Sequence, residues 1–360
     1  MVHQCDARFQ DGRRRFLGSL SLLGAMPFLS SADLIAQALG GRPHRVDVHH
    51  HFFPPQYLEP LAEFNRRLNV APGLQPPQRE WSVARTVEEM DKTSVATSIL
   101  STSTPGVWFG SAEESRRMAR ICNEFAAKMS QDYPGRFGLF ASVPMPDVEG
   151  TLKEITYALD QLKADGIGMM TSWGSKWPGD PAYAPVWEEL NRRSAVTYFH
   201  PTAPDCCGNL MPGIPVAMLE YPQDTARAVA SLLFSGTFAR YPNIRFIFSH
   251  AGAAVPVLAG RLDNAASRSA ALQKGIGPNG IYAELRKLYY DTANSMYEPT
   301  MAALLKLVPL SQVLFGSDYP YLTVQQNVES MSKLSSLSEG QRRAIDRDNA
   351  LKLLPRLART

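Results

Sequence analysis

Cysteine is scarce, with four in 360 residues, and these form neither a C-x-x-C pair nor a zinc-ribbon spacing. The chain therefore carries no disulfide framework and no thiolate metal site, so any metal must be held by histidine and carboxylate. Long apolar runs are missing as well. The stretch from Leu17 to Leu29 is broken by Gly18 and Gly24 and falls short of the ~20 residues that a bilayer span needs. Charge of one sign is also lacking: 37 Lys+Arg face 34 Asp+Glu, a net +3 that is scattered along the chain. A nucleic-acid partner would require a concentrated basic stripe. No repeat or low-complexity tract occurs, and no Gly-rich phosphate turn follows an early strand, as an open dinucleotide-binding sheet would require.

What is present is a composition for a sizeable core, with 44% hydrophobic and 20% charged residues. The length suits one large barrel or two ordinary domains, and no shift in composition separates two. The first forty residues differ from the rest. Arg13-Arg14-Arg15-Phe16-Leu17, the short apolar run and Ala36-Gln37-Ala38 form the three parts of a secretory signal of the twin-arginine type. Residues 1–38 are expected to direct export to the periplasm and to be cleaved after Ala38. A retained extension on a cytoplasmic protein is the alternative. Cleavage would remove Cys5 and leave Cys122, Cys206 and Cys207, an odd number that fits poorly with stabilising disulfides.

From about residue 45 to 360 short apolar runs alternate with segments of helical period. Eight runs read as strands: 46–48, 96–100, 137–143, 167–170, 196–199, 244–248, 288–290 and 313–315. They are mostly uninterrupted rather than alternating, as strands buried on both faces should be. Helical stripes lie between them. In 114–131, Met118, Ile121, Cys122, Phe125, Ala126 and Met129 share one face, and further helices are expected over 152–163, 185–193, 225–234 and 299–307. Eight such alternations predict an α/β fold, the (β/α)8 TIM barrel. Two insertions rich in proline and glycine, 53–82 and 202–221, follow the first and fifth strands and should cover the barrel mouth. The chain from about Asn327 closes the barrel with helices.

Five of the seven histidines fall at the C-terminal ends of predicted strands, the face of a barrel that carries its chemistry. His49, His50 and His51 follow the first strand, His200 the fifth and His250 the sixth, while Asp318 follows the eighth. Three or four of these groups converging would form a catalytic metal site of nitrogen and oxygen donors. Side chains at i and i+2 of a strand share a face, so His49 and His51 can reach one ion while His50 points away to be packed or hydrogen-bonded under the loop.

The strings Val46-Asp47-Val48-His49-His50-His51-Phe52, Phe199-His200-Pro201, Phe248-Ser249-His250-Ala251-Gly252 and Gly316-Ser317-Asp318-Tyr319-Pro320 resemble the signatures of the amidohydrolase-related decarboxylases. That group includes aminocarboxymuconate-semialdehyde decarboxylase. The stretches 101–106, 136–138 and 289–293 look closest to the branch acting on 6-methylsalicylate and related hydroxybenzoates. The likeness spans residues 45–325. It implies an amidohydrolase-like barrel in which His49, His51, His200 and Asp318 bind one divalent cation, zinc first and manganese as the alternative. It places His250 beside the metal as the catalytic proton-transfer residue, with Asp318 a ligand that can also carry a proton.

The fourth strand ends Met170-Thr171-Ser172-Trp173, with no lysine where binuclear relatives carry a carboxylated one, and Lys176 lies in the following loop. One ion is therefore expected. Trp173 and Tyr321 are candidates for the slot that binds the substrate ring. The muconate branch places an arginine just before a Glu-Met-Asp string. Here Thr86 and Arg85 stand near that position before Glu89-Met90-Asp91, which argues against a dicarboxylate. Cys206-Cys207 could pair with each other or serve the loop, and Arg227 could reach the mouth. The partner expected is a small carboxylic acid, with no nucleic acid or membrane span, in a homodimer. The rival activities are a metal-dependent hydrolase of lactones or amides and, in another class, a metal-containing binding protein without catalysis.

Overall fold

In the computed structural model the residues described are 44–67, 73–207 and 210–359; the export signal expected in 1–38 lies outside them. Eight parallel strands follow one another in sequence order: β1 (Arg45–His51), β2 (Val95–Ser101), β3 (Phe137–Ser142), β4 (Gly166–Met170), β5 (Val196–His200), β6 (Arg245–Phe248), β7 (Tyr289–Asp291) and β8 (Val313–Leu314). The ring closes where β1 meets the chain after β8. Val48 N–H donates to Phe315 O at 3.0 Å, Asp318 N–H to His49 O at 2.9 Å and His51 N–H to Tyr319 O at 2.8 Å. The (β/α)8 barrel expected from the alternation is thus the architecture found.

Nearly every strand residue is buried, because helices cover the outer face while side chains fill the interior. Val48, Ile99, Phe140, Tyr198, Ile247 and Leu314 form the plug inside the ring. A larger cluster lies between strands and helices, and includes Met118, Cys122 and Ala126 of the helix Ala112–Asp132.

Both insertions sit at the C-terminal end of the barrel. The first folds into the helices Pro55–Arg67 and Pro76–Glu80. The second passes through a bond between Cys206 and Cys207 and runs into a helix, Val216–Phe234, that starts nine residues earlier than the periodicity suggested and carries Pro222 inside it. A proline removes one backbone donor and reads in sequence as a breaker, although a helix packed on a core tolerates it. Gly275-Ile276-Gly277-Pro278-Asn279-Gly280 has the spacing of a dinucleotide turn but follows no strand; it leads into the helix Gly280–Leu285 between β6 and β7. Among the described residues, no helix is long and apolar enough to cross a membrane.

Candidate metal centre and active site

The barrel end brings together donors from two strands, β1 and β5, and from the loop after β8. One donor atom each from His49, His51, His200 and Asp318 lies within 4.8 Å of all the others. The i, i+2 spacing on β1 delivers His49 and His51 to the same side. His50 turns the other way, where Nδ1 meets Asp47 Oδ2 at 2.8 Å and the ring stacks on Tyr319 at 4.7 Å. Asp47 also accepts from the backbone and hydroxyl of Ser317. His50 and Asp47 therefore tie β1 to the loop that carries Asp318.

Each of these three histidines is oriented through its Nδ1. Nδ1 of His49 faces Asp291 Oδ2 at 3.0 Å, Nδ1 of His51 faces Ser101 O at 3.0 Å, and Nδ1 of His200 faces Pro201 O at 2.9 Å. An acceptor at Nδ1 fixes the proton there and aims the Nε2 lone pair inward, as metal-binding imidazoles require. The consequence is visible in the centre: the two Nε2 atoms of His49 and His51 are 3.1 Å apart, and each is 3.2 Å from Asp318 Oδ1. Lone pairs converging at that distance repel one another unless a positive charge lies among them.

The electrostatics agree. Burial disfavours a charged His49 ring, yet the Asp291 and Asp318 carboxylates push its pKa up to about 10. Burial lowers His51, and burial followed by the neighbouring His51 and His49 lowers His200 well below the usual range. Burial opposes ionisation of Asp318, but His49 and the hydrogen bonds from His250, His49 and His51 hold it well below the ordinary carboxylate range. The pocket thus favours one positive charge among two neutral imidazoles and a carboxylate. The three imidazoles and single carboxylate fit one divalent cation with coordination positions left for substrate. Lys176 pairs loosely with Asp180 at 3.5 Å and takes no part in the cluster.

His250 stands beside the donors, its Nε2 3.4 Å from Asp318 Oδ2 and its side chain 17% exposed toward the cavity. The backbone that presents it is unusual. His250, Ala251, Gly252 and Ala253 all have φ between 52° and 70°, a left-handed stretch that costs non-glycine residues roughly 1 kcal/mol or more each. Asp291 holds this turn by accepting from His250 N–H at 3.0 Å. Gly316 allows the close packing opposite: a Cβ there would come 2.8 Å from His49 Cβ and 3.0 Å from Asp291 Cγ.

His200, His250, Asp318 and Tyr321 line a cavity of about 730 Å³. Tyr321 lies edge-on to His51 at 5.8 Å, and its hydroxyl accepts from Gln78 Nε2 at 2.9 Å. Gln78 was not singled out in the sequence; Gln75 N–H in turn donates to its Oε1 at 2.9 Å. Trp173 is placed elsewhere, lining an adjoining hollow of about 430 Å³ rather than the cavity with His250. Arg227 lines neither and lies 3.8 Å from Glu220 and 3.9 Å from Asp224. Arg85 is exposed and pairs with Glu80, while Thr86 is buried.

Residues 46–356 match the amidohydrolase family. Among curated proteins, the decarboxylase yanB of Aspergillus niger is 37% identical, with 87% of this chain and 88% of that protein covered. A 6-methylsalicylic acid decarboxylase of Penicillium expansum is 35% identical, with 87% and 97% covered. Among solved structures, a dihydroxybenzoic acid decarboxylase from Polaromonas sp. JS666, with bound manganese and 2-nitroresorcinol, superposes with a TM-score of 0.73. It is 22% identical, and the match covers 87% of this chain and 97% of that one.

Proposed function

The chain belongs to the amidohydrolase family, and from that premise we propose that it is a metal-dependent, non-oxidative decarboxylase of a small aromatic acid, a hydroxybenzoate such as 6-methylsalicylate. The observation that carries this reading is the convergence of three imidazoles and Asp318 with His250 at their edge, on a cavity open to a ring-sized acid. The relatives named as decarboxylases of such acids supply the substrate class.

When bound, the divalent cation supplies positive charge for the substrate's phenolic and carboxylate oxygens. Zinc and manganese both suit the donor set, and we take zinc first. The chain's own residues do the rest. Asp291, Ser101 and Pro201 hold the three imidazoles in one tautomer. Tyr321, fixed by Gln78, borders the ring's space. His250 holds a proton at Nε2, supported by Asp318 Oδ2, and delivers it to the ring carbon that bears the carboxylate. The bond from that carbon to the carboxyl group then breaks, its electron pair restores the aromatic ring, and carbon dioxide leaves.

The test is product analysis. Metal-loaded protein given carboxyl-labelled 6-methylsalicylate should release labelled carbon dioxide and 3-methylphenol. Turnover of lactones or amides with no carbon dioxide from any hydroxybenzoate would instead establish the hydrolase. Export through residues 1–38 and assembly as a homodimer belong to the same proposal, tested by cell fractionation and by light scattering.

A further inference from the structure

The cavity at His250 does not stand alone. The hollow of about 430 Å³ adjoins it, and the two share Gln75, Thr104 and Tyr221 as common wall. Small-ligand sites run roughly 300–1,000 Å³, so the cavity of about 730 Å³ already accommodates a complete benzenoid acid and the second hollow is surplus to it. The unshared walls of that hollow include Phe64, Trp108, Trp173 and Val216. Trp173 is locked in place, buried and edge-on to Tyr183 at 5.4 Å. Behind it, Ser172 and Trp177 both donate to the buried Asp224 carboxylate at 2.8 Å.

Charge narrows what can enter. Among the described residues no lysine or arginine lines either hollow, and the second one carries the Asp205 carboxylate. A second acid group would lose its hydration there without gaining a cation partner. An alkyl or aryl group gains instead, by roughly fourfold in affinity for each methylene removed from water.

We infer that the hollow walled by Phe64, Trp108, Trp173 and Val216 is a substituent subsite, and that it receives a neutral apolar group carried on the ring of a monocarboxylic hydroxybenzoate. This deepens the decarboxylase reading and rests on it for the position of the acid. The substrate's ring and carboxylate lie beside His250, and the substituent crosses the boundary at which the two hollows share Gln75, Thr104 and Tyr221.

The test compares methyl with pentyl congeners, the substituent placed in turn at ring positions 4, 5 and 6 of salicylate, on the metal-loaded full chain. Binding of the corresponding alkylphenols is followed by calorimetry, independently of turnover, and carbon dioxide release gives kcat/KM for the acids. At one position or more, pentyl should bind at least tenfold more tightly than methyl. Ala203→Phe and Val216→Phe, which narrow the hollow from two different segments, should each bring that ratio toward one while melting like the wild type. The subsite is overturned if pentyl shows no advantage at any position, or if both folded variants keep it. If a variant does not fold, the wild-type ratio still decides. A pentyl advantage in binding with no carbon dioxide from any acid would keep the subsite and remove the decarboxylase; release from the methyl acid without a pentyl advantage would do the reverse.

Discussion

Asp291 and His49 are joined by a buried contact of 3.0 Å between Oδ2 and Nδ1, and the other oxygen of the same carboxylate accepts from the backbone N–H of His250. One side chain at the end of β7 thus sets the direction of a proposed metal ligand and the turn that presents the proposed proton-transfer residue. Asp291→Asn puts an amide nitrogen in place of one of two oxygens on which three donors converge, His49 Nδ1 and the backbone N–H groups of His250 and Ala293, so at least one of them loses its acceptor. Metal affinity should fall about 10- to 100-fold, as for other outer-sphere partners of metal-bound histidines. Competition with a graded chelator checks this, and an unchanged affinity would remove Asp291 from the site.

Metal removal should destabilise the fold as well as silence it. A cation that binds only the native state contributes about 4 kcal/mol at a concentration 1,000 times its Kd. A chelator should therefore lower Tm by several degrees, and addition of zinc or manganese should restore it. Asp318→Asn should shift far less than the wild type in the same titration, because it removes the charge that the three imidazoles share with the ion.

The Asp224 carboxylate is fully buried and accepts from Thr171 Oγ1 at 2.5 Å, Ser172 Oγ at 2.8 Å and Trp177 Nε1 at 2.8 Å. These bonds pin the end of β4 to the helix Val216–Phe234. Asp224→Ala leaves three donors without their acceptor and should cost about 2–4 kcal/mol, read as a drop in the urea midpoint. A loss below 0.5 kcal/mol would mean that water replaces the carboxylate.

Acid stability has a contributor far from the mouth. The hydrogen bond from Arg192, and then that from Arg193, bring Glu189 down to about 2 from 4.5. A carboxyl depressed in the folded state stabilises above its unfolded value and loses that contribution as pH falls through the folded one. Glu189→Gln should therefore melt below the wild type at pH 6, with the gap closing between about pH 4.5 and pH 2. A gap that stays constant over that window would contradict the assignment.

The barrel was legible because each strand is a continuous apolar run, and the convergence of His49, His51, His200 and Asp318 because histidine and aspartate at strand ends are rare and chemically specific. The orienting groups were not. Ser101 and Pro201 act through backbone carbonyls, which every residue possesses, and Asp291 is one acidic residue among 34 until the fold places it against His49. Gln78 approaches Tyr321 from 243 positions away in the chain, a relationship that no local pattern carries. Trp173 follows β4, but the hollow it lines is walled by Thr202, Ala203, Pro204 and Asp205 from after β5, a placement that no local pattern carries.

Metal content and carbon dioxide release, measured on the same preparations of wild type and His250→Ala, separate the metal site from the proton transfer. Both proteins should hold about one equivalent of divalent metal, because His250 is not among the four donors, and the variant should release carbon dioxide at least 100-fold more slowly, the range for loss of a positioned acid. A His250→Ala protein that keeps its metal and turns over at the wild-type rate would contradict the role given to His250, and a wild type that binds no metal would contradict the site itself.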